Sequence, residues 1–263
     1  MNNSYYINVF FQLLRRDIYT FAKRFINYGI NFFLISPILI ITVFGYIQPT
    51  VYFKSSGSVS ITLIVGSLIF NMILLCSNFI NPIIFDLETD RFIDYQLLLL
   101  PPFFLLLKII LFPAVLASLL SFPFFILSYL VLPGFFEGLV THWGALTLVL
   151  CLSALTAASY IMLAMSIIKT TSGIRKFWLC VNWPLACLGG LWTPWYLVHS
   201  KWPFLSFFIL ANPILYMTEG VRSALTGSNH YIHYSVCIFT LMGFSCIFIV
   251  IASFFFKNKV DHI

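Results

Sequence analysis

Residues 59–82, VSITLIVGSLIFNMILLCSNFINP, decide the fold class of this chain. The stretch contains no charged residue, and its apolar residues fall on every side of a helix, so no polar face is left to turn towards water. A helix rises about 1.5 Å per residue, and a bilayer core of roughly 30 Å therefore needs about 20 apolar residues per crossing. The sequence of this stretch predicts a membrane-spanning helix.

The same property extends over most of the chain. Of 263 residues, 61% are hydrophobic and 8% are charged, whereas an ordinary soluble domain carries about a quarter charged residues. A transmembrane barrel is disfavoured because its strands alternate apolar and polar residues. We therefore predict an all-α integral membrane protein with six transmembrane helices, at roughly 27–48, 59–82, 103–131, 143–168, 177–197 and 233–256.

Two of these spans contain helix breakers. The third includes Pro113 and Pro123, and we expect it to be tilted or kinked. The fifth is interrupted by Pro184, by the Gly189-Gly190 pair and by Pro194. Such a segment is predicted to be a broken or re-entrant helix, which a membrane tolerates only where protein or a water-filled cavity surrounds it.

The basic residues predict the orientation. If both termini are cytoplasmic, eleven of the fourteen Lys and Arg residues lie on the inner side, and only Lys54, Lys201 and Arg222 lie outside. The net charge of +6 is explained by this asymmetry, so we infer no nucleic-acid partner. The six cysteines all fall in predicted spans without a C-x-x-C pair, and His230 and His233 lack a third ligand, so neither a disulfide nor a metal site is predicted.

Residues 1–26 are predicted to form an amphipathic helix before the first span. Apolar residues such as Phe10, Leu14 and Phe21 recur at helical spacing, and Arg15 and Arg16 fall on another face. Such a helix would lie in the cytoplasmic interface. It either serves as a plain anchor or also contacts a partner, and the sequence favours neither.

The loop at 83–102 is the most charged part of this apolar chain. Residues 85–102 are FDLETDRFIDYQLLLLPP, with acidic residues towards the start of a short helix and Pro101-Pro102 ending it. A short charged helix between two spans suits docking on a soluble partner. A solvated loop that only caps two helices has the same charge pattern.

The segment at 198–232 is too apolar to be a solvated loop, and we expect a re-entrant or outer-leaflet helical segment before the last span. Tyr216, Glu219 and Arg222 follow at three-residue intervals, so Glu219 and Arg222 can pair on one helical face. Gly227 is then the expected C-terminal stop.

Polar residues inside the spans form a further set of candidates. Asn71, Asn78 and Asn81 lie in one sector of the second span and should face other helices or a conduit, as structural bonds or as contacts to cargo. Lys108, near the end of the third span, is expected to extend its ammonium group to the inner interface.

Taken together, the six spans, the charged first cytoplasmic loop and NPILYMTEGVRSALTG before the last span resemble a type 2 ATP-binding-cassette exporter permease. The resemblance implies that 1–263 is a single transmembrane permease domain. It also implies that the first cytoplasmic loop couples to the ATPase through Phe85, Asp86, Leu87, Glu88, Thr89, Asp90, Arg91, Asp94 and Tyr95. The residues that match the family's structural or gating motif are Gly189, Gly190, Asn212, Pro213, Tyr216, Glu219, Arg222 and Gly227.

The resemblance further implies a homodimer with two copies of a separate ATPase, in lipid of a bacterial inner membrane. No G-x-x-x-x-G-K-[ST] motif occurs in the sequence, so ATP and Mg are expected on the partner and not on this chain. An integral-membrane enzyme is disfavoured because the predicted spans hold almost no titratable groups. The expected function is export of a lipid, a lipid-linked glycan or an amphipathic small molecule; the alternative is a non-transporting assembly factor or membrane scaffold.

Overall fold

The structure is a computed structural model, which describes residues 3–30, 35–47, 57–86, 92–131, 141–168, 170–227 and 230–261. Every regular element within these ranges is helical, as predicted. The first half of the chain contains α1 (Asn3–Ile30), α2 (Ser36–Ile40), a π-helical turn (Ile41–Ile47), α3 (Gly57–Ile80), α4 (Pro82–Phe85), α5 (Phe92–Leu99) and α6 (Pro102–Val131). The second half contains α7 (Trp143–Ile167), α8 (Thr171–Phe177), a π-helical turn (Trp178–Asn182), α9 (Trp183–Leu188), α10 (Trp195–Lys201), α11 (Pro203–Ile209), α12 (Pro213–Thr226) and α13 (Tyr234–Asp261).

Four helical segments in the described part of the chain are long and apolar enough to cross a bilayer: Ile61–Phe85, Pro102–Ser128, Trp143–Ile167 and Tyr234–Lys259. They correspond to the second, third, fourth and sixth predicted spans. The helices α11 and α12 would add a fifth if they counted as one span, but they are bent by 99° to one another. The chain is thus a multi-pass helical membrane protein with four or five candidate spans.

Of the other two predicted spans, the first is described only in part and the fifth is not a single helix. Residues 31–34 and 48–56 of the first span and its flank lie outside the described residues, and between them α2 begins at Ser36, with Pro37 in its first turn, and continues as a π-helical turn. The predicted fifth span ends as a helix at Leu188, followed by the turn at Gly189 and Gly190. In contrast, α6 continues through Pro113 and Pro123 to Val131.

The helix α7 is the centre of the fold and packs against α3, α6, α12 and α13. Its buried face is rich in small side chains, including Ala154, Ala157 and Ala158, which let neighbouring backbones approach closely. Where α7 meets α13, the hydroxyls of Thr156 and Ser245 are 2.8 Å apart. At the end of α7, Lys259 donates to the carbonyl oxygen of Ile168 over 2.6 Å, which satisfies a carbonyl group that a helix terminus leaves without a partner.

Candidate functional site

The helix α12 starts at the Asn-Pro pair of the predicted motif. The side-chain oxygen of Asn212 accepts a hydrogen bond from the Ile214 N–H over 3.0 Å, and Pro213 occupies the first helical position, where no donor is needed. The Asn212 amide donates to the Leu185 carbonyl oxygen over 2.6 Å. This one side chain therefore caps α12 and ties its start to α9.

All residues of α12 from Pro213 to Leu225 are buried, although two of them are charged. Glu219 and Arg222 form an ion pair, with Arg222 Nη1 and Glu219 Oε1 3.0 Å apart and both side chains 0% exposed. The i, i+3 pairing predicted from the sequence is confirmed. Burying two charges is unfavourable unless they are paired and further hydrogen bonds satisfy them. The other hydrogen-bond partners of Glu219 and Arg222 therefore determine which parts of the fold this pair connects.

Those partners are mainly backbone groups of other elements. Arg222 Nη2 donates to the carbonyl oxygens of Thr62 at 2.8 Å, Gly190 at 2.6 Å and Leu191 at 3.2 Å. Glu219 Oε1 also accepts from the Trp195 N–H over 3.2 Å. The pair thereby joins α12 to α3 and to the segment between α9 and α10; we call Glu219, Arg222 and these partners the ion-pair site.

The glycine pair after α9 makes this approach possible. Gly190 has φ +74°, a left-handed conformation that glycine adopts without steric cost. The Thr218 hydroxyl donates to the Gly189 carbonyl oxygen over 2.9 Å, and a methyl group at Gly189 would overlap the Ile214 side chain. On the opposite side, a methyl group at Gly66 of α3 would overlap the Leu191 carbonyl oxygen.

Two other motif residues complete the surroundings. Tyr216 donates from its hydroxyl to the Leu210 carbonyl oxygen over 2.8 Å, which connects α12 to the end of α11. Gly227 caps α12 with φ +82°, and the predicted C-terminal stop is confirmed. Burial also raises the pKa of Tyr231, whose hydroxyl hydrogen-bonds Thr62.

The structure thus brings the predicted motif together: the glycine pair, Asn212, Glu219 and Arg222 meet around one turn. No family model, curated protein or solved structure matches this chain. The sequence did not reveal Thr62, Gly66 or Trp195, which take part through backbone atoms or through the absence of a side chain. A single glycine inside the apolar run of α3 was the only available signal for Gly66.

The predicted coupling loop lies at the opposite end of α3. Phe85 and Tyr95 are exposed, and Asp86 Oδ2 accepts from the Ile93 N–H over 2.6 Å, so Asp86 fixes the start of α5. The side chain of Asp94 and the whole of Leu87, Glu88, Thr89, Asp90 and Arg91 lie outside the described residues.

The three asparagines of α3 occupy different surroundings. Asn78 lines a cavity of about 380 Å³ between α1, α3 and α6, and Asn71 lines a much smaller space between α3 and α6. The two spaces share Leu75 and Leu120. Asn81 donates to the Ser77 hydroxyl over 2.7 Å and lines neither of these two spaces.

The Lys108 side chain, which was expected to extend to the inner interface, contacts α1 and α5 instead of solvent. It is buried, with its ammonium nitrogen 2.7 Å from Asp17 Oδ2 and 2.8 Å from Gln96 Oε1. The amphipathic pattern of residues 1–26 indicated only a surface helix, so sequence reasoning missed Asp17 as a partner for Lys108. This pair borders the larger cavity.

Proposed function

We propose that this chain is the membrane-spanning permease subunit of an ATP-driven exporter, with six spans, an interfacial α1 and both termini in the cytoplasm. It acts as a homodimer with two separate ATPase subunits and moves a lipid, a lipid-linked glycan or an amphipathic small molecule. The observation that carries the proposal is the ion-pair site, where a buried Glu219–Arg222 pair holds α12, itself bent by 99° from α11, against a helix broken at glycine.

The unfavourable free energy of burying an ion pair beside broken helices supports a functional role for the ion-pair site. Ionisable residues at membrane depth are unfavourable and rare, and they commonly mark transport pathways. Broken helices are tolerated there only where protein or a cavity surrounds them. Arg222 connects α3, α12 and the turn at Gly190, so the broken and bent segments move together when any one of them moves.

The loop after α3 supports a connection to a soluble partner. Asp86 positions α5 between two long apolar helices, and Phe85 and Tyr95, which flank the charged stretch of the sequence, present exposed aromatic side chains. In the proposed mechanism, ATP binding draws the two ATPases together, this loop moves with them, and the permease interface opens for cargo.

The first experiment tests the partner. The tagged full-length chain is extracted from its native membrane, and copurifying proteins are identified by mass spectrometry. The expected partner contains G-x-x-x-x-G-K-[ST] and hydrolyses ATP. A chain that copurifies with no such ATPase is a scaffold or assembly factor, and the proposal fails.

The second experiment tests the loop with Glu88→Lys/Asp90→Lys, which leaves the Asp86 cap of α5 intact. We expect loss of the ATPase at unchanged membrane abundance, because losing one partner of a buried interfacial charge pair commonly costs about 2–5 kcal/mol and a reversed charge adds repulsion. Glu137→Lys, outside the loop, is the matched control. Equal ATPase recovery from both variants would show that this loop does not couple the subunits.

The six-span topology is tested separately by single cysteines in a background without the native six. Ser55→Cys and Ser228→Cys should react with an impermeant thiol reagent added outside intact cells, and Ser172→Cys should not. Labelling of position 172 from outside contradicts the six-span topology.

A further inference from the structure

The cavity that Asn78 lines has an aromatic wall. Phe21 of α1, Phe79 of α3 and Phe112 of α6 meet there, with ring centroids 5.6, 6.4 and 5.4 Å apart. The volume of about 380 Å³ is in the range of ligand pockets. Most of the remaining lining is apolar: Leu75, Pro82, Ile83, Ile109, Pro113 and Leu120. We call this space the α1 cavity.

One edge of the α1 cavity is ionic. Asp17 lies between two cations, 2.7 Å from the Lys108 ammonium and 2.8 Å from the Arg16 guanidinium. Arg16 is itself exposed on α1, so a cationic side chain stands at this edge beside the Asp17–Lys108 pair. Arg15 and Lys23 are exposed on the same helix, and the edge therefore attracts a negatively charged group.

The dimensions of the α1 cavity match one membrane leaflet. Lys108 and Leu120 lie twelve residues apart on the continuous helix α6, which corresponds to about 18 Å at 1.5 Å per residue. One leaflet contributes about half of the roughly 30 Å hydrocarbon core. Two of the three walls belong to candidate membrane spans, and Thr20, Asn78 and Pro82 of the lining are exposed, so the cavity is open beside these helices.

We propose that the α1 cavity holds one anionic phospholipid. Its phosphate lies beside Arg16 and Lys108, and one acyl chain runs along the wall of Phe21, Phe79 and Phe112 towards Leu120. The bound lipid connects α1 to α3 and α6. This site is separate from the ion-pair site, and its occupancy does not depend on whether the chain transports cargo.

The shape of the cavity is tested by filling it from two walls. The full-length chain is reconstituted into vesicles of equal parts phosphatidylglycerol and phosphatidylcholine, extracted in mild detergent and examined by native mass spectrometry. We expect the unaltered chain to retain one phosphatidylglycerol. Asn78→Trp and Thr20→Trp should each lower its occupancy at least tenfold, whereas Leu119→Trp, on an exposed part of α6, should leave it unchanged.

The charge preference is tested with neighbouring arginines. Arg16→Gln leaves a neutral Asp17–Lys108 pair and should abolish the preference for phosphatidylglycerol over phosphatidylcholine. Arg15→Gln removes the same charge without a contact to Asp17 and should preserve the preference. Comparison of these two variants distinguishes a specific ionic contact at Arg16 from a general attraction of anionic lipid by a cationic helix.

Three results would overturn the proposal. Retention of phosphatidylglycerol by both cavity-filling variants at the level of Leu119→Trp excludes the cavity as its site. Equal retention of phosphatidylcholine by the unaltered chain excludes an anionic preference, and an equal loss of preference in both arginine variants excludes the contact at Arg16. Each variant is compared only as a monodisperse peak in size-exclusion chromatography, so loss of lipid is not confused with misfolding.

Discussion

Among the described residues, two acid–base pairs between distant or neighbouring helical positions have the same charges and different surroundings. The Glu219–Arg222 pair is 0% exposed on both sides, and backbone groups of other elements surround it. The Asp17–Lys108 pair is 22% and 5% exposed, stands at the edge of a cavity and shares its carboxylate with Arg16. The enclosed pair joins parts of the protein to one another, while the pair at the cavity edge lies beside the exposed cation of Arg16, where a ligand can approach.

The largest difference between the two pairs should appear when the cation is removed. Arg222→Met leaves the Glu219 carboxylate buried without its counter-charge, and breaking such a pair costs about 3–5 kcal/mol. Arg222→Lys should recover little, because one ammonium cannot reproduce a planar guanidinium bonded to Glu219 and three carbonyl groups. The stability of both variants is measured by unfolding detergent-solubilised protein and following tryptophan fluorescence. Full stability of Arg222→Lys would show that the planar geometry of the guanidinium hydrogen bonds is unimportant.

The close approach around the enclosed pair should be the next most sensitive feature. Gly66→Ala places a methyl group against the Leu191 carbonyl oxygen, and we expect a loss of about 3 kcal/mol, the upper end for overpacking. Gly144→Ala adds the same methyl group on α7, where nothing lies within 4 Å, and should be neutral or stabilising. Similar unfolding midpoints for the two variants would contradict the observed contact between α3 and the turn.

Removing the cation at the cavity edge should cost less than removing Arg222. In Lys108→Gln, Asp17 keeps Arg16 as a partner and part of its exposure to solvent. The expected loss is about 1.5–3 kcal/mol, the range for hydrogen bonds to charged groups. The same unfolding assay measures this loss of stability. If Lys108→Gln loses as much stability as Arg222→Met, the two ion pairs are equally shielded from solvent, which contradicts the comparison.

The smallest expected effect is at the border of the ion-pair site. Tyr216→Phe removes one hydrogen bond, to the Leu210 carbonyl oxygen, and keeps the ring in place. A net hydrogen bond contributes about 0.5–1.5 kcal/mol. A loss above 3 kcal/mol in the unfolding assay would indicate that Tyr216 is part of the enclosed network and not of its border.

The four long apolar segments could be predicted from the sequence because each is one uninterrupted run. The helix α7, at Trp143–Ile167, differs from the predicted 143–168 by one residue. The break in the fifth span was also predictable, because Gly189 and Gly190 are visible breakers and the helix ends at Leu188 beside them. The first span is described only in part, since residues 31–34 and 48 lie outside the described residues.

Within the site, local spacing was sufficient for some contacts and not for others. Glu219 and Arg222 are one helical turn apart, and their pairing followed from that spacing. The carbonyl oxygens of Thr62 and Leu191 have no side-chain signature, and every residue carries such an acceptor. Asp17 and Lys108 are both visible in the sequence, but only the packing of α1 on α6 brings them together.

The hydrogen bond between Arg222 and Thr62 also has a consequence for biosynthesis. The two residues are separated by 160 positions, and chains are synthesised at roughly 5–20 residues per second. The helix that contains Thr62 therefore exists for about 8–32 seconds before Arg222 is made. All three carbonyl groups that Arg222 contacts precede it in the chain, so every acceptor has been synthesised before the guanidinium is made. A pause in translation before residue 222 would prolong the time in which α3 and the glycine turn lack their common partner.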